Sequence, residues 1–159
     1  MPAGFAPARA VLLASHGTPG ARAAEALAFE LCAEGGRVHH LVVVPEFWKG
    51  MLGDDWLNNA VVHVRFGRYV ENQLEREIAE HGQQVEAEAK RRGLGYACET
   101  RLGDPAECLA EVAAAGTHEL VVIGSPRPKG APGYRSRLAV EKLVARLRLP
   151  LIVAPHPGR

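Results

Sequence analysis

The residues best suited to chemistry lie in the loop SPRPKGAPGYRSR, which follows the apolar run Leu120, Val121, Val122, Ile123 and begins just beyond Gly124. A strand that breaks at glycine and feeds a helix offers a phosphate two things: unpaired backbone N–H groups and the positive end of the helix dipole. This loop adds Arg127, Lys129, Arg135 and Arg137. Guanidinium groups bind phosphate or carboxylate through paired hydrogen bonds, so the loop reads either as an anion site or as a solvated basic surface. Pro126, Pro128 and Pro132 remove three N–H donors from it.

A second candidate is His16, in the turn His16-Gly17-Thr18 after the first apolar run. An imidazole there suits an anion or a metal, or is simply a polar turn residue. His39 and His40 fall inside an apolar run and read as packed or edge positions. Cys98 and Cys108 read as small core residues, with no neighbour that would activate a thiol. Phe47, Trp48, Met51 and Trp56 form an aromatic segment that reads as a lid or core packing, or as a docking patch. No nucleophile, base and orienting acid come together in the sequence, so no catalytic residue and no metal site is assigned.

The elements that must position these groups alternate in type. Ala10 to Ser15, Val38 to Val44, Tyr96 to Arg101, Leu120 to Ile123 and Leu151 to Ala154 read as strands, the third with the partly polar face of an edge strand. Between them, Ala21 to Glu34, roughly Arg68 to Arg92, a segment opening at Asp104-Pro105-Ala106-Glu107, and Tyr134 to Leu147 carry helical spacing. Gly35-Gly36 reads as the stop of the first helix. Asp104 is placed to cap, Pro105 to occupy the first turn, and Glu107 to return a bond to the cap backbone. Alternating strands and helices imply right-handed crossovers and a doubly wound, mostly parallel sheet covered on both faces. Its ligand crevice falls where strand order reverses, which sets the turn after the first strand beside the loop after the fourth.

Composition narrows the classes. The chain has 159 residues, 47% hydrophobic and 23% charged, enough for one domain with a sizeable core. Lys and Arg number 19 against 18 Asp and Glu, so no global field draws nucleic acid or an anionic membrane. Three widely spaced cysteines suggest neither a disulfide framework nor a zinc knuckle, and fit a reducing cytoplasm. No segment approaches the roughly 18 apolar residues of a membrane span, and the amino terminus carries no run suited to a signal peptide.

Nearly the whole chain resembles the universal stress protein family. The resemblance rests on LLASHGTPGARAAEALAFEL, LVVVPEFW, RLGDPAECLAEVA, ELVVIGSP and VEKLVARLRLPLIVAP, in that order and spacing. It implies a five-stranded sheet of order 3-2-1-4-5, of the adenine-nucleotide alpha-hydrolase-like type, in a homodimer joined through the last strand. It also implies a stress-response or sensing module rather than an enzyme, with a ligand site at His16, Val43, Gly124, Ser125, Arg127, Arg137 and Leu138.

The family's ATP-binding branch carries G-x2-G-x9-G-[ST] after strand four. Here Gly124 keeps the first glycine, while Arg127, Arg137 and Leu138 replace the rest. His16 stands where the family has an acidic residue. Arginine at glycine positions crowds the close backbone approach that phosphate needs. ATP in the family pose is therefore disfavoured, leaving ATP or AMP held differently, another anionic ligand, or none. A more distant similarity, to small tetrapyrrole metal chelatases, rests on Ser15-His16-Gly17-Thr18 and VVVPEFWKGMLGDD, but lacks the second metal-binding histidine that family implies.

Overall fold

The computed structural model describes residues 6–15, 19–44, 76, 79–125 and 140–155. The elements are β1 (Ala8–Ala14), α1 (Pro19–Leu31), β2 (Cys32–Val44), a helix α2 over 79–91, β3 (Gly95–Leu102), α3 (Pro105–Ala115), β4 (Leu120–Gly124), α4 (Val140–Arg146) and β5 (Leu151–Ala154). They form one five-stranded sheet of order β3-β2-β1-β4-β5 with every pairing parallel. This is the doubly wound sheet and the strand order expected. The aromatic segment Phe47 to Trp56 lies outside the described residues.

Strand alternation divides the core into two layers. Val11 and Leu13 of β1, Val38 of β2 and Val122 of β4 pack with Ala24, Ala28 and Phe29 of α1 and with Val85 and Ala89 of α2. On the opposite face Leu12, Leu41, Val121 and Ile123 pack with Leu109 and Val112 of α3 and Leu143 of α4. Leu12, Leu13 and Leu109 are each 0% exposed. Burial of each such side chain contributes about 1.5–3 kcal/mol. Arg92 stacks over the Phe29 ring, 5.4 Å from its centroid, and ties the end of α2 to α1.

Several boundaries differ from the sequence reading. The first helix ends at Leu31, and β2 starts at once at Cys32, which pairs with Ala8 across an irregularity between Ala8 and Ala10. Gly35-Gly36 is therefore inside a bulged strand, not a helix stop. Gly35 takes φ 74°, and a Cβ on Gly36 would come within 2.9 Å of the Arg9 carbonyl oxygen of β1. At the same place the Arg9 N–H, displaced from the ladder, donates to Glu119 Oε2 at 3.0 Å, while Glu119 N–H donates to the Ala10 carbonyl at 2.8 Å.

The cap and first turn of α3 follow the sequence reading, whereas the expected return bond from the Glu107 carboxylate to the cap backbone is replaced by a contact with α4. Asp104 is extended, Glu107 N–H donates to its Oδ2 at 3.0 Å, and Pro105 occupies the first turn. The Glu107 carboxylate meets Lys142 Nζ at 2.9 Å, so it links α3 to α4. Cys108 is buried as expected, but Cys98 is exposed. It lies on β3, which among the described residues pairs with β2 alone, and this free edge of the sheet meets solvent.

Candidate functional site

Of the residues proposed for the ligand site, Val43, Gly124 and Ser125 lie within the described part of the chain, and His16, Arg127, Arg137 and Leu138 lie outside it. Ala14, at the carboxyl end of β1, pairs with Leu41 of β2 and Ile123 of β4. Val43 and Gly124 thus stand just beyond that level on the two strands flanking β1, at the switch point where strand order reverses. Ser125 N–H donates to the Ala154 carbonyl at 2.9 Å and fixes the turn out of β4. The Ser125 hydroxyl oxygen is buried and has no hydrogen-bond partner among the described residues. An orphaned hydroxyl costs about 1–3 kcal/mol, which a ligand oxygen at the strand ends would relieve.

A second cluster forms on the α1–α2 face beneath this edge. Ser15 ends β1, and its Oγ–H donates to Glu25 Oε1 from α1. His81 of α2 places Nε2 at 2.5 Å from the same carboxylate oxygen and at 3.4 Å from Ser15 Oγ. His40 of β2, 0% exposed, places Nε2 at 3.2 Å from the Ser15 carbonyl and Nδ1 at 2.7 Å from the Tyr96 hydroxyl. A carbonyl only accepts, so Nε2 carries the proton and Nδ1 accepts from Tyr96. Burial pushes the His40 imidazole below its ordinary range, against the opposing pull of Glu25. Burial likewise pushes the Tyr96 phenol well above its ordinary range.

Serine, histidine and glutamate together raise the question of a hydrolytic relay. In such a relay the carboxylate holds one imidazole nitrogen and the hydroxyl meets the other. Here Glu25 and Ser15 meet the same nitrogen, His81 Nε2, and Ser15 is 4% exposed. This arrangement does not activate the serine.

A third cluster occupies the α3 face. His39, one residue from His40, projects the other way: Nε2 lies 3.1 Å from Glu99 Oε2 and Nδ1 lies 2.8 Å from His118 Nε2. The carboxylate assigns the His39 proton to Nε2, so His118 Nε2–H donates to His39 Nδ1. His118 Nδ1 is left buried with no partner among the described residues. Burial, then the nearby His39 and Arg37, lowers the basicity of His118, while hydrogen bonding from Arg101 holds the Glu99 carboxyl below its ordinary range. These side chains line a cleft of about 490 Å³ with Arg37, Tyr96 and Thr117, where Arg37 Nη2 donates to Thr117 Oγ1.

The sequence reading passed over Glu25, His81, Tyr96, Glu99 and His118. Two of them carry a signal. Glu25 stands four residues after Ala21 and three before Ala28, on the buried stripe of α1, and His81 stands four before Val85 and eight before Ala89, on the buried stripe of α2. A polar side chain on an apolar helical stripe needs a buried partner.

A five-stranded parallel sheet of this order with helices on both faces is the architecture of doubly wound α/β proteins. Within that class the fold is that of the universal stress proteins. The chain is similar to the hypothetical protein MJ0577, with a TM-score of 0.70 and 15% identity over 92% of this chain and 95% of that one. It is similar to a universal stress protein family member from Burkholderia pseudomallei, with a TM-score of 0.59 and 23% identity over 91% and 94%. A universal stress protein solved in complex with cAMP superposes with a TM-score of 0.59 and 13% identity over 95% and 99%. No family model and no curated protein matches the sequence.

Proposed function

We propose that this protein is a non-catalytic stress-response or sensing module of the universal stress protein kind, a cytoplasmic homodimer that takes a nucleotide or related anion at an altered site. The observation that carries this reading is the buried Ser125 hydroxyl, without a partner among the described residues, at the end of β4, beside Gly124 and across β1 from Val43. The cAMP held by one structural neighbour supports a nucleotide as the ligand class. Arg127 and Arg137, in place of family glycines, favour side-chain pairing with the anion over a backbone cradle. Because β5 is a sheet edge with Val153 40% exposed, it offers an apolar surface for a second copy.

The test is calorimetric titration of the purified protein with cAMP, AMP, ADP and ATP, with inorganic phosphate as the plain anion. Binding of at least one nucleotide, weakened in Arg127→Glu, Arg137→Glu and Ser125→Ala, is the expected result. Heat indistinguishable from dilution with every ligand would overturn the ligand claim.

A further inference from the structure

We infer that Glu25, His40 and His81 form a binding site for a divalent transition-metal ion, with the Ser15 hydroxyl as a fourth oxygen donor. Each of the three offers one ligand atom within 4.8 Å of the other two. Donors held at about 2.0–2.2 Å from one ion in tetrahedral geometry stand about 3.3–3.6 Å apart, so side-chain movements on the order of 1 Å close the set. The residues come from separate elements, Glu25 from α1, His40 from β2 and His81 from α2, with Ser15 at the end of β1. An ion there clamps both helices to the sheet.

The environment suits a cation. The side chains of Glu25 and His81 are 12% and 14% exposed, and His40 is 0% exposed. Among the described residues no lysine or arginine pairs with this carboxylate, whose partners are Ser15 and His81. A mostly buried carboxylate without a permanent cation is costly, and a metal ion supplies the missing charge. Two imidazoles and one carboxylate select zinc or cobalt over magnesium or calcium, which prefer oxygen alone.

The outer shell is also present. A histidine that ligates through one nitrogen is held by a hydrogen bond from the other. With His40 Nδ1 at 2.7 Å from the Tyr96 hydroxyl, Nε2 is the nitrogen that faces the ion. Metal binding then moves the His40 proton from Nε2 to Nδ1, where it donates to Tyr96, and Nε2 leaves the Ser15 carbonyl. The His81 proton moves from Nε2 to Nδ1, which frees the Nε2 lone pair for the ion.

The experiment loads metal-free protein with zinc or cobalt, desalts it, and measures bound metal per chain together with the visible spectrum of the cobalt form. One ion per chain, with cobalt bands of nitrogen and oxygen ligation, is the expected outcome. Glu25→Gln and His81→Gln, checked for folding by circular dichroism, lose the ion; Tyr96→Phe weakens binding by about 10–100-fold; His39→Gln binds as the wild type does. The inference is overturned if the wild type retains no ion, if an intense thiolate-to-cobalt band appears, or if the ion is lost in His39→Gln and kept in Glu25→Gln. The wild-type stoichiometry and spectrum decide the matter even if a variant does not fold.

Discussion

His39 and His40 are adjacent in sequence and serve opposite layers of the protein: His39 meets His118 and Glu99 on the α3 face, and His40 meets Tyr96 and the Ser15 carbonyl on the α1–α2 face. Strand alternation alone produces this division. The dipeptide therefore supplies one imidazole to each of two unrelated polar networks, and the two respond to different perturbations.

Acidification should weaken the α3-face network. His118 is less basic in the folded chain than its ordinary value of about 6.5. Between the folded and unfolded values the unfolded chain binds a proton that the folded chain does not, so stability rises with pH through that window. Thermal midpoints of metal-free protein should fall as pH drops below about 6.5 and level off below the folded value. In His118→Gln the fall should be shallower; an unchanged profile would remove His118 as its source.

Loss of the α3 cap should be measurable by urea unfolding. Asp104→Ala should cost about 1 kcal/mol, because the Glu107 N–H loses its acceptor, while Asp104→Asn should keep most of that stability. Equal losses in both variants would place the effect in the Lys142 contact instead.

Leu109, 0% exposed on the buried face of α3, should be among the costly core positions. Leu109→Ala should destabilise by about 2–5 kcal/mol in the same denaturation assay. A loss below 1 kcal/mol would mean, roughly, that the surrounding core collapses into the space.

If the proposed dimer forms through β5, Val153→Asp should split it. Sedimentation velocity should show the dissociation constant rising by at least about tenfold, since a buried unpaired charge at an interface centre is poorly tolerated. A variant that remains dimeric at low concentration would place the interface on another face.

The architecture was legible because each signal was local. The apolar run of β4, the cap at Asp104 and the helical stripe through Val85 and Ala89 each occupy a short stretch, and the structure keeps all three. The start of β2 was not legible: two glycines after a helix signal a stop, and only the close approach of the Arg9 carbonyl, distant in sequence, turns them into a bulge. The partners within the polar clusters were illegible for the same reason, although Glu25 and His81 each stand out on an apolar stripe. Glu25 and His81 come together only because α1 and α2 share one face of the sheet, and nothing local announces that meeting. Cys98 was misread as core although it lies on an edge strand, where even the helix-covered face meets solvent.

The Glu119 side chain, which takes the N–H that Arg9 cannot spend on the ladder, sits at the amino-terminal rim of the sheet. Parallel strands slip by whole residues, and a slip of one exchanges every inward side chain for an outward one. By gripping both Arg9 and Ala10, Glu119 indexes β4 against β1 before the first ladder pair, Val11 with Leu120, is made. The relative height of Ser15 and Ser125 at the far rim is thus set from the opposite end of the strands, by a carboxylate that touches neither.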